Sequence, residues 1–154
     1  MSFILQVIGG EPITVERWQR RVSTLGARVE FPPGLQLATY QGFLRLAITL
    51  ENASLLSFPR PERFQRRLKA GFWFGGEATE IVSLTTDHPR TGADFLAQVL
   101  CAAAYALEAG ARLEDFQEGE TFEGDAIVAV LPRLFDPIMF ESDLATGEPF
   151  TLVT

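Results

Sequence analysis

The side chains that could do chemistry in this sequence are few and scattered: one histidine, His88, one cysteine, Cys101, and a close pair of carboxylates, Glu77 and Glu80. A single imidazole cannot build a two-histidine metal centre, and a nucleophilic triad through His88 would need a serine or Cys101 brought to it by the fold. Cys101 stands in Val99-Leu100-Cys101-Ala102-Ala103, an apolar stretch where a thiol packs as a small hydrophobe rather than reacting. Glu77 and Glu80 could act as acid and base only if their surroundings separated their pKa values, and no neighbour in sequence does so. Gly9-Gly10 and Gly75-Gly76 lack the spacing of a dinucleotide or P-loop fingerprint and read as turns. Asp115, Glu118, Glu120 and Glu123 are oxygen donors that could hold Ca²⁺, but the alternating register and central glycine of an EF-hand are missing. These residues predict no catalytic group, no cofactor and no metal.

Charge is more informative. Residues 1–77 hold 10 Lys/Arg against 6 Asp/Glu, whereas residues 78–154 hold 3 against 14. Glu108, Glu114, Asp115, Glu118, Glu120, Glu123 and Asp125 are opposed in sequence by Arg112 alone. A surface of one sign repels itself and is of most use where an oppositely charged molecule docks. The formal net charge of −7 predicts no nonspecific nucleic-acid binding, which draws its affinity from neutralised phosphates.

The elements that must carry these residues follow from periodicity. At 154 residues, 47% of them hydrophobic, the chain is expected to form a single domain over residues 1–154 with a substantial core. No apolar run is long enough to span a bilayer, no secretory signal pattern is present at residues 1–8, and the lone cysteine fits a reducing compartment, so a cytoplasmic location is expected. Residues 3–8 read as a strand. Thr14 followed by Val15, Trp18, Val22 and Leu25 reads as a capped amphipathic helix with Arg17, Arg20 and Arg21 on its solvated face. Strands are predicted at 28–31, 35–40, 43–51, 72–74 and 80–86, with a short helix at 62–70 behind Pro61. A long, nearly all-apolar helix is predicted between Thr91 and Ala109, ended by Gly110. Residues 111–125 read as an acidic loop, 126–131 as a strand and 150–153 as a last strand. The result is an α+β domain with a largely antiparallel sheet and two main helices packed on one face. If extended, Phe72, Trp73 and Phe74 must alternate sides, which sends at least one ring away from the others.

Trp73-Phe74-Gly75 resembles a W-x-G signature, and the alanine-rich helix running into Gly110-Ala111-Arg112-Leu113-Glu114-Asp115 is similar to the helix-to-acidic-loop passage of small α+β immunity proteins. These belong to bacterial polymorphic and type VI secretion toxin systems, and the nearest class pairs with restriction-endonuclease-fold toxins. The resemblance implies a cytoplasmic antidote that binds and neutralises a cognate toxin with a basic surface, such as a nuclease. The acidic stretch then supplies the docking site, with Glu114, Asp115, Glu118, Glu120, Glu123 and Asp125 as its field and Phe116 and Phe122 as its anchors. Two other expectations stand beside it. One is a small-molecule-binding domain or enzyme whose pocket is lined by Phe72, Trp73, Phe74 and Tyr40, with Glu77, Glu80 or His88 as acid or base. The other is a homodimer formed through the aromatic segment at residues 135–140.

Overall fold

The computed structural model describes residues 5–50, 67–75, 83–86, 92–115 and 119–131. Strand β1 (Leu5–Ile8) leads into helix α1 (Val15–Thr24), then β2 (Ala27–Glu30), β3 (Gly42–Leu50), β4 (Arg67–Phe74), β5 (Ser83–Thr86), helix α2 (Gly92–Ala109) and the strands β6 (Arg112–Asp115) and β7 (Glu120–Glu123). A short helix over residues 125–131 follows. The described strands form one seven-stranded sheet in the order β2-β3-β4-β5-β1-β6-β7, and every pairing among them is antiparallel. This is the α+β architecture expected from the sequence.

Helix α1 begins because the Thr14 hydroxyl accepts a hydrogen bond from the Arg17 backbone N–H at 3.2 Å, filling one of the donors a helix start leaves open. Glu16 in the first turn and Arg21 in the last complement the helix dipole. Trp18 and Val22 turn inward. Helix α2 lacks a polar stripe: residues 99–104 are all fully buried, and its alanines let it lie close to both α1 and the sheet. Trp18, 0% exposed, fills the space between the layers. Its ring lies 5.2 Å from Phe31, 5.6 Å from Phe72 and 5.1 Å from Tyr105, and its indole N–H donates to the Cys101 carbonyl at 2.9 Å.

Several elements differ from expectation. Residues 35–40 form turns rather than a strand, because Leu35 N–H reaches back to the Pro32 carbonyl and Tyr40 N–H to that of Leu37. Leu37 is nonetheless buried, and the Tyr40 hydroxyl donates to the Phe43 carbonyl at 2.6 Å, setting the start of β3. Residues 67–70 belong to β4, not to a helix: Leu68, Ala70, Phe72 and Phe74 recur at a spacing of two, and β3 pairs with this stretch along its length. Residues 62–66 and 150–153, where the rest of that helix and a last strand were expected, lie outside the described residues. Residues 126–131 are helical instead of extended. A strand would bury Ile127, Ala129 and Leu131 together, whereas Ile127, Val130 and Leu131 are buried and Ala129 is exposed, the three-and-four spacing of a helix.

Helices α1 and α2 lie on one face of the sheet, against Leu5, Val7, Leu44, Leu46, Ile48, Phe72 and Leu113. Directly opposed residues of paired strands share a face. The other face therefore presents Arg28, Glu30, Phe43, Arg45, Trp73, Gln6, Arg112, Glu114, Thr121 and Glu123, with no described element over it.

Candidate functional site

The stretch expected to be an acidic loop folds instead as the hairpin β6–β7 at one end of the sheet. Its register opposes Arg112 to Glu123, Leu113 to Phe122, Glu114 to Thr121 and Asp115 to Glu120. Acidic strands have weak intrinsic preference for the sheet, but β6 gains a partner in β1, where Leu113 sits opposite Val7 and Asp115 opposite Leu5. The acids therefore do not form one surface. Glu114 and Glu123 face away from the helices, while Asp115 and Glu120 lie on the helix side.

Their exposures differ as well. Glu123 and Asp125 are exposed, and Glu114 and Glu120 are half-buried. Asp115 is only 2% exposed, so it is removed from the docking field: the β1 strand and the core enclose it. Phe122 is partly buried against the core cluster rather than displayed. Phe116 and Glu118 lie outside the described residues.

Glu108, counted by sequence among the unopposed acids, is neutralised. Arg21 Nη2 lies 2.8 Å from its Oε1 and Arg17 Nε 3.1 Å from its Oε2, and Arg17 Nη2 also donates to the Glu108 backbone carbonyl at 2.9 Å. Two arginines expected to line a solvated face instead tie α1 to the end of α2. Burial pushes the Glu108 carboxyl upward, but hydrogen bonds from Arg21 and Arg17, together with their positive charges, outweigh it and hold the group below its ordinary value.

On the open face a second cluster is built from β3 and β4. Trp73 is 49% exposed, and its ring meets Phe43 at 5.1 Å between centroids with the planes tilted by 50°. The Arg45 guanidinium lies 5.7 Å from the Phe43 centroid, within reach of a cation–π attraction. Gly71, opposite Arg45 in the register, makes this possible, since a Cβ there would clash with the edge of the Phe43 ring. The sequence flagged Trp73 through the alternation of three aromatics. Phe43 and Arg45 were missed, although their signal was present: they alternate with the inward-facing Leu44 and Leu46.

The aromatic pocket expected around residues 72–74 is not assembled. Phe72 and Phe74 are 0% and 6% exposed and pack on Trp18 at 5.6 and 6.2 Å, while Trp73 points to the opposite side. Tyr40 meets Phe74 edge-on at 5.6 Å. Beside it an open groove of about 600 Å³, bordered by Pro33, Leu35, Thr39, Tyr40 and Gln41, holds no carboxylate, imidazole or thiol in its lining. Cys101 is fully buried, and the loss of solvent pushes its thiol far above the ordinary value. Tyr105 is likewise pushed up by burial, to about 12. His88, Glu77 and Glu80 lie outside the described residues.

Among the described residues, no group of three or more His, Cys, Asp or Glu side chains could hold a metal ion, and no helix is long and apolar enough to cross a membrane. Set against known proteins, the chain matches no family model, no characterised relative and no solved structure.

Proposed function

We propose that this chain is a non-enzymatic binding protein of the immunity type, which neutralises a basic protein partner such as a nuclease toxin in the cytoplasm. The observation that carries this reading is the edge hairpin. Among the described strands β7 ends the sheet, and the exposed Glu123 and Asp125 together with the half-buried Glu114 and Glu120 surround it with negative charge. A nuclease is basic where it grips phosphates, so an acidic hairpin competes for the same groove. The outer backbone of an edge strand can also accept a partner's strand. Opposite charge speeds encounter, which matters for an antidote that must act before the toxin does. With Asp115 buried and Glu108 paired to arginines, the field is smaller than the sequence suggested and is centred on the hairpin.

The test uses the product of the adjacent gene, purified in an inactive form, and measures association by stopped flow. Replacing the four acids in E114Q/E120Q/E123Q/D125N is expected to lower the association rate at least about tenfold at low ionic strength and to flatten its dependence on salt. An unaltered rate removes the hairpin as the docking site.

A further inference from the structure

The face of the sheet opposite the helices is graded in charge along the strand order. At one end, β2 and β3 present the exposed Arg28 and Arg45 against a single acid, Glu30. At the other end, β6 and β7 present Glu114 and Glu123 against Arg112. Between the two ends, next to the middle strand β5, lies the half-exposed Trp73 with Phe43 beside it on β3.

We propose that this face pairs with the same face of a second copy of the chain, basic end over acidic end, with Trp73 close to the twofold axis. An interface between identical partners must be complementary to itself. A surface positive at one end and negative at the other meets that condition when a twofold axis runs along the strands, because the rotation reverses the strand order and lays β2 and β3 of one copy over β6 and β7 of its partner. Charge alone would not hold two molecules that each carry −7. The central aromatic supplies the desolvated anchor, and tryptophan and arginine are the side chains that most often dominate interface energetics. Gly71 contributes by leaving room on β4 for the tip of the Phe43 ring.

The extent of the face sets the strength. Seven strands spaced by about 4.8 Å span about 29 Å, and the four residues that most of them contain cover about 14 Å. The footprint is therefore about 400 Å², short of the roughly 800 Å² per partner of a standard interface. A pairing of this size belongs with weak association, to be sought at micromolar and higher concentrations.

Sedimentation equilibrium of the chain alone, from about 5 to 200 µM, tests this without any toxin, so its outcome is separable from that of the proposed function. The wild-type chain is expected to show a monomer–dimer equilibrium. W73S, at an exposed position, is expected to raise the dissociation constant at least about tenfold while leaving the far-ultraviolet circular dichroism of the folded chain unchanged. R28E/R45E makes both ends acidic and E114R/E123R makes both ends basic. Each alone is expected to stay monomeric, and an equimolar mixture to form a one-to-one heterodimer. A wild-type chain that stays monomeric across the range overturns the proposal. So does a dimer that survives W73S and both charge variants, which would place the interface elsewhere, or a mixture that forms no heterodimer.

Discussion

Glu108 shows how one carboxylate can join two helices. Its side chain is 17% exposed, whereas Arg17 and Arg21 remain 47% and 38% exposed, so solvent screens the pairs and their worth is about 1 kcal/mol rather than that of a buried bridge. The carboxyl is held below its ordinary value of 4.5. The stabilisation is therefore complete above that value and is lost as pH falls through the lower, folded-state value. Glu108→Gln is expected to cost about 1 kcal/mol at pH 7 by urea denaturation, and the gap from wild type should close on acidification below about pH 4. A gap of constant size from pH 7 to pH 3 would show that shape, not charge, is what Glu108 contributes. Trp18 differs in kind: it is fully buried, it touches four aromatic rings, and its one polar atom is satisfied by the Cys101 carbonyl. Trp18→Ala is expected to cost about 3–5 kcal/mol, measured by the same denaturation.

At the scale of elements, the short helix over residues 125–131 offers a sharp test of periodicity. Val130 is 6% exposed and Ala129 faces solvent. Ala129→Lys is expected to leave the melting temperature within about 2 °C, whereas Val130→Lys should cost at least about 2 kcal/mol by burying an unpaired ammonium. The reverse ranking would mean that the segment alternates as a strand. The two long helices were legible because their signals are local: a cap at Thr14, a stop at Gly110, and apolar spacing that admits one period. The hairpin β6–β7 was not legible, because acids and glycines of residues 112–123 resemble a loop until β1 offers a free edge. Residues 67–70 were misjudged since a proline upstream outweighed an alternation that becomes plain only when read through Phe74. The candidate site divides in the same way. Residue type and charge could be read directly, but exposure could not: Asp115 disappears beside Leu5, and Glu108 meets an arginine 91 positions away.

For the molecule as a whole, Cys101 is a built-in reporter of cooperativity. The thiol sits mid-way along α2, fully buried and shifted strongly toward the neutral form. Labelling by a thiol reagent at pH 8 is expected to be slower than for a free peptide thiol by at least about 10³, and to accelerate with urea in step with loss of the circular dichroism signal. Fast labelling without denaturant would mean that α2 opens independently of the sheet. The strand order has a consequence for biosynthesis. Strand β1 lies between β5 and β6, so the segment translated earliest among the described strands acquires its neighbours only when late segments have left the ribosome. Until then an apolar ribbon containing Leu5 and Val7 has no sheet to join, while β2 and β3 can already zip together beside α1. Nascent chains halted before residue 112 should therefore be the species that chaperones hold, with release coming as the acidic hairpin closes the far side of β1.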